Sequence, residues 1–425
     1  MKKYKWLFVV LGLLSVGYLG YHFYIFPILF PVDKEIKQYV EESLVPIRTI
    51  DPDDVDFEDL RALEASIGDA SLVLLGEQDH GDAPTFLAKT RIIKFLHQQM
   101  DFDVLVFESD FYGLSRSWEH TKAGQAEINA YRHDIYPMWA NCSECAELFR
   151  YLESNLGSNS ELTVAGADPK PDLKFSEDNL LVELSGLIGE KQLLTDRENK
   201  QRFLEILEET MINQYNSKAT ADQKEFFLTM VEEMGEKIEE GSFWHQQLKG
   251  LRGFVLNAWD PLGSNNHRDT QMADNMMWLI NQKFKGRKVI FWGSNSHIFK
   301  NFAQTSDYQK RAGSSDTTNM GTYLHRVLGE KMYVLGFTSH SGQAGRLYGQ
   351  QFDINPPMPH HFEYWMNGLG ASYGFVDFKH ASFRGEPRGF WMKALLHMPN
   401  SLNWFNLFDG IFYIEEMYPC TEDQN

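Results

Sequence analysis

The sequence predicts an α/β fold: a largely parallel central sheet flanked by helices, with a helical insertion or subdomain and an N-terminal transmembrane helix. Three observations carry this. Six short, almost wholly apolar runs alternate with helical periods, the pattern of a sheet buried on both faces. Residues 173–265 contain charged helical segments such as ATADQKEFFLTMVEEMGEKIEE and no convincing strand. Finally, no Asp, Glu, Lys or Arg occurs across the 26 residues from Trp6 to Pro31.

That uncharged run is long enough to cross a bilayer, and Lys2, Lys3 and Lys5 precede it. The positive-inside rule then keeps the N-terminus cytoplasmic and sends the remainder across. A cleaved signal is the competing reading, with Ser15-Val16-Gly17 as small residues at suitable spacing. The expected division is an anchor over 1–32, α/β parts over 33–172 and 266–425, and a helical cap over 173–265.

The first apolar run is SLVLLGE, Ser71 to Glu77. The segment from Pro84 to Met100 places Phe86, Leu87, Ile92, Ile93, Phe95 and Leu96 at helical spacing. VLVF before Glu108, LTVAGADP (Leu162–Pro169), KVIFWGSNSH (Lys288–His297), MYVLGFTSHSG (Met332–Gly342) and DGIFYIEE (Asp409–Glu416) supply the other five strands.

Composition narrows the chemistry. With 425 residues, 43% hydrophobic and 23% charged, the chain holds a substantial core. A formal net charge of −19 without a basic stripe excludes nucleic acid as a partner. Aromatic residues cluster near the C-terminus (Phe362, Trp365, Phe390, Trp391, Trp404), as core or as a stacking surface for a sugar-like substrate. The three cysteines, Cys142, Cys145 and Cys420, include one CxxC, which reads as a local disulfide in an oxidising compartment or as two free thiols.

The strand ends carry polar and titratable residues. Glu77, Asp79 and His80 follow the first strand, Glu108 the second, Asp168 the third, Ser294, Asn295 and His297 the fourth, and His340 the fifth. In a parallel sheet these ends share one rim, where ligands bind. A lone acid there is a helix cap, and Asp79 or Asp82 fits that role for the Pro84 helix. Repetition at five ends points to catalysis. Carboxylates beside an imidazole make it a better proton acceptor. The alternative is a divalent metal held by Glu77, His80, Glu108 and His297. Arg91 on the first helix either pairs with a rim carboxylate or faces solvent.

With these residues in hand, the chain resembles the erythromycin esterase family. LLGEQDHG is similar to its G-E-x-x-H-G strand end, KTRIIKFLHQQMDFDVLVFES to its next helix and strand, and YPMWANCSECAELFRYLESN and VAGADPKPD to the blocks after those. HRDTQMADNMMWL resembles R-D-x-x-M-A-x-N, and VIFWGSNSH resembles a strand ending in A-H-N-x-H. NMGTYLHRVLGEKMYVLGFTSHSG and FDGIFYIEE complete eight blocks in order over residues 70–416. The resemblance implies a hydrolase that opens an ester or lactone with water, with Glu77, His80, Glu108, Arg268 and His297 catalytic. Asp168, Arg91, Asn295 and His340 would then contact substrate. His80 would be the general base, Glu77 or Glu108 would orient it, and Arg268 or His297 would stabilise the oxyanion. Ser294 stands where the family motif has its first histidine. Together with the anchor, this favours a substrate other than a macrolide, such as an envelope glycan ester or a secreted metabolite; a non-catalytic binding protein is the remaining alternative.

Overall fold

A computed structural model describes residues 2–21, 25, 28, 33–214, 216–260, 264–305 and 318–423. Its centre is a nine-stranded sheet. The strands are β1 (Val45–Pro46), β2 (Leu72–Leu75), β3 (Phe102–Asp110), β4 (Thr163–Asp168), β5 (Lys288–Trp292), β6 (Met332–Ala344), β7 (Phe352–Asp353), β8 (Tyr373–Asp377) and β11 (Gly410–Met417). A separate hairpin pairs β9 (Phe390–Leu395) with β10 (Met398–Leu402). The order is β1-β8-β11-β6-β2-β5-β3-β4, with β7 alongside β6. The six strands expected from sequence, β2, β3, β4, β5, β6 and β11, form its parallel body. β1, β7 and β8 pair antiparallel at its margins; they are short or carry Pro and Gly, and give little apolar signal.

The apolar runs are continuous because each strand feeds two cores. Val73 and Leu75, Leu105 and Phe107, Ile290 and Trp292, and Tyr333 and Leu335 lie in one cluster. Their chain neighbours Leu72 and Leu74, Val104 and Val106, Val289 and Phe291, and Met332 and Val334 lie in the other. This is period-two alternation with both faces covered. Helix Ala83–Met100 covers the first face and helix Ser264–Trp278 packs towards the second. Most of the C-terminal aromatics are core: Phe362, Trp365, Phe390 and Trp404 are buried in the second cluster.

Helices Lys174–Glu190, Arg197–Ile212, Ala221–Lys237 and Phe243–Trp259 surround a third core, including Leu184, Phe203, Phe227 and Leu251. Tyr112, from the helix after β3, joins that core.

The expected anchor, Trp6–Pro31, lies only partly within the described residues. Its described part belongs to a helix, Lys2–Gly20, whose first turn is occupied by lysines, while residues 22–24, 26, 27 and 29–32 lie outside the described residues. Among the described residues, no helix is long and apolar enough to cross a membrane. The cysteines also pair differently. Cys142 is bonded to Cys420, 278 positions away, and Cys145 is free and buried.

Candidate active site

The carboxyl ends of β2, β3, β4 and β5 bring most of the expected rim residues together. Two close approaches make this feasible. A Cβ on Gly76 would fall 1.9 Å from Asn295 Oδ1, and one on Gly293 would meet Glu108 Oε2 at 2.8 Å, so glycine is needed after both β2 and β5.

The first cluster is built on Glu77, which is fully buried. Its Oε1 accepts from His80 Nδ1 at 2.7 Å and from Trp139 Nε1 at 3.0 Å. Its Oε2 accepts from Lys89 Nζ at 2.7 Å. Lys89 is also fully buried and lies 3.9 Å over the Trp292 ring. Burial pushes its ammonium below the ordinary value, opposed by the Glu77 carboxylate. Because a carboxylate only accepts, the His80 proton sits on Nδ1 and leaves Nε2 as the basic nitrogen. The His80 side chain retains 14% exposure, edge-on to Trp139.

The second cluster centres on Arg268. Its Nη2 donates to Glu108 Oε1 at 2.8 Å and to Asp168 Oδ2 at 2.6 Å, and its Nε reaches the same Asp168 oxygen at 2.9 Å. His297 bridges two carboxylates, with Nδ1 2.7 Å from Asp269 Oδ1 and Nε2 3.1 Å from Glu108 Oε1. Burial would lower the His297 pKa, but Asp269 and Glu108 raise it to about 10. It is therefore an imidazolium at neutral pH and not a base. Burial would raise Glu108, yet His297, Arg268 and His80 hold it well below the usual carboxylate range. Asp168, against the same burial, is lowered by Arg268 and Lys170. Tyr136 Oη lies 3.1 Å from Asp168 Oδ2 and 3.2 Å from Asp172 Oδ1, sharing its one proton between them, and burial followed by those two acids raises its phenol above the ordinary value.

Two expected binding residues are committed to structural contacts. Arg91 is buried, and its guanidinium is spent on Asp59 and the carbonyls of Thr49, Asp54 and Asp56. Asn295 is buried, with its amide bonded to the backbone of Phe337 and Ala394. His340 Nδ1 lies 3.0 Å from Ser341 Oγ. Ser294 caps the short helix Asn295–Ile298, accepting from the Ser296 N–H. Asp82 occupies the N-cap position of its helix without a capping bond. Lys89, Trp139, Tyr136 and Asp269 are the additions; only Asp269, directly after Arg268, carries a sequence signal.

The donor set does not suit a metal. Lys89 and Arg268 already neutralise Glu77 and Glu108, and the oxygens of both carboxylates are occupied by N–H donors, so a cation would have to displace buried cations. Among the described residues, Glu77, His80, Glu108 and His297 do not converge to metal-binding distance. A cavity of about 760 Å3 lies at the opposite end of the sheet, bordered by Asp103, Thr163 and Arg287.

Residues 97–399 match the erythromycin esterase family. The chain is 23% identical over 439 residues to the YbfO protein of Bacillus subtilis (strain 168), covering 92% of each chain. It is 23% identical over 437 residues to an Escherichia coli protein named erythromycin esterase type II, covering 89% of this chain and 97% of that one. A Bacillus cereus protein of known structure shares the fold, with a TM-score of 0.72 and 19% identity over 92% of this chain and 99% of its own.

Proposed function

This chain belongs to the erythromycin esterase family and is a hydrolase acting on esters, and from that premise we propose that it cleaves an ester or lactone by direct attack of water, with His80 as general base. The observation that carries this reading is the 2.7 Å bond between His80 Nδ1 and Glu77 Oε1. It orients the ring, fixes its tautomer and stabilises the imidazolium that forms when Nε2 takes a proton from water. Lys89 Nζ holds the other Glu77 oxygen at 2.7 Å. The hydroxide adds to the acyl carbon, and the carbonyl oxygen gains the negative charge. Arg268 and the His297 imidazolium supply positive charge to that oxyanion. Collapse of the intermediate expels the alkoxide, which recovers the proton from His80, giving an acid and an alcohol.

The substrate in this reading is an extracytoplasmic small-molecule or glycan ester rather than a macrolide. Support comes from the uncharged run behind three lysines, which would tether the chain to a membrane, and from the Cys142–Cys420 disulfide, which suits an oxidising compartment. The test is a panel of aryl, lactone and acylated-sugar esters with wild type and His80→Ala, each with and without chelator. Loss of turnover in a folded His80→Ala, insensitive to chelator, supports the reading. Equal turnover without His80 refutes it, chelator-sensitive turnover favours the metal alternative, and binding without turnover favours a non-catalytic protein. Fractionation of cells expressing the full chain tests the tether.

A further inference from the structure

Among the described residues, His397 is a buried histidine that the hydrolytic site does not use. The β9–β10 hairpin turns through two residues, Leu396 and His397, whose φ values are 48° and 55°. A two-residue hairpin that needs a left-handed pair is ordinarily made by Asn-Gly, since most side chains are strained there. Leucine and histidine in those places need contacts that hold them. Leu396 N–H donates to Gln78 O at 3.2 Å, and Gln78 Nε2 donates to Lys393 O at 2.6 Å. His397 Nε2 lies 2.9 Å from Asp82 Oδ1, and its Nδ1 lies 3.2 Å from Ser339 Oγ. The second oxygen of Asp82 accepts the Asp79 N–H at 3.0 Å. The hairpin tip therefore grips both ends of the turn that presents His80.

Ser339, His397 and Asp82 follow the order of a nucleophile relay. Ser339 and Asp82 are completely buried and His397 is 4% exposed, so no substrate carbonyl reaches the hydroxyl. The chemistry fits a clamp instead. A carboxylate accepts, so His397 Nε2–H donates to Asp82, and Nδ1 shares a hydrogen bond with the Ser339 hydroxyl. The two contacts tie the turn at Gln78–Asp82 to β6.

We propose that His397 is a positioning residue for the general base: through Asp82 it sets the angle at which His80 presents Nε2 to water. This rests on the reading of His80 as base. Misplacing a catalytic group by about 1 Å costs on the order of 100-fold in rate, and substrate affinity is unaffected by a group that never meets substrate.

The experiment measures kcat and KM of the full-length protein on p-nitrophenyl butyrate for wild type, His80→Ala, His397→Ala, His397→Gln and Ser339→Ala, each checked for cooperative unfolding. His397→Ala is expected to lower kcat about 100-fold and to leave KM within about twofold. His397→Gln, whose amide donates to Asp82 and accepts from Ser339, is expected to restore most of the loss. A folded His397→Ala with wild-type kcat overturns the proposal, as does equal damage from alanine and glutamine. If His397→Ala does not fold, Asp82→Asn gives the same reading, and an unchanged kcat overturns it. An inactive His80→Ala beside a fully active His397→Ala condemns the clamp alone, whereas an active His80→Ala removes the base and the clamp together.

Discussion

Lys89 and Glu77 form an ion pair with no solvent contact on either side chain, Nζ to Oε2 at 2.7 Å. Removing one partner of such a pair strands a buried charge, which costs about 3–5 kcal/mol. Glu77→Leu is therefore expected to lower the urea midpoint sharply. The double variant Glu77→Leu, Lys89→Met should recover much of that stability while remaining inactive. Equilibrium denaturation beside an ester assay separates the two effects.

His80→Ala removes no buried charge and leaves the Glu77–Lys89 pair intact. Its expected signature is a rate loss of about 10²–10⁴-fold with a melting curve close to wild type. The measurement is kcat on a fixed ester together with thermal unfolding.

Arg268→Lys keeps the charge but cannot reach Glu108 and Asp168 in the same fork. It should lower kcat by about 10²–10³-fold and leave KM less affected. Steady-state kinetics of the lysine and alanine variants provide the check, with alanine the more damaging to the fold because two buried carboxylates lose their partner.

The pKa of His297 is raised from an ordinary value near 6.5 to about 10. A group raised on folding favours its protonated form in the native state, so its contribution is complete below about pH 6.5 and disappears as pH climbs towards 10. Wild type should therefore lose stability across that window more steeply than His297→Asn. Denaturant titrations at pH 6, 8 and 10 measure the difference. Glu108 acts oppositely, since its depressed value gives stability above the ordinary carboxylate range that is lost in acid.

Cys142→Ser or treatment with reductant opens a crosslink that spans most of the chain. The expected loss is about 2–5 kcal/mol. Calorimetry with and without reductant reads it, and Cys145→Ser serves as the control that leaves the bridge intact.

Much of the rim was legible in the sequence because a parallel sheet aligns its strand ends, so a Glu or His after each apolar run maps to one edge. Glu77, His80, Glu108, Asp168 and His297 obey that rule. Lys89 does not, because a lysine within an amphipathic helix looks solvent-facing until the fold turns it inward above Trp292. Arg91 and Asn295 show a related effect: a polar side chain near the rim can be committed to backbone carbonyls, and for Arg91 also to Asp59, and nothing local distinguishes that from a ligand contact. Trp139, His397 and the Cys142–Cys420 pairing depend on tertiary contacts across long separations, which spacing does not reveal. The marginal strands give little signal because pairing to a neighbour, β8 to β11, β1 to β8 and β7 to β6, rather than their own composition makes them strands.

The turn that carries His80 is completed by late-arriving chain. Asp82 meets His397 across 315 positions, Ala83 N–H bonds to Tyr418, and Cys420 N–H bonds to Gly81. Closing contacts of such separation is slow and comes late in folding. During synthesis the growing polypeptide can lay down β2 and β3 and remain chemically silent, so ester cleavage begins only once nearly all of the sequence has emerged and folded back on itself.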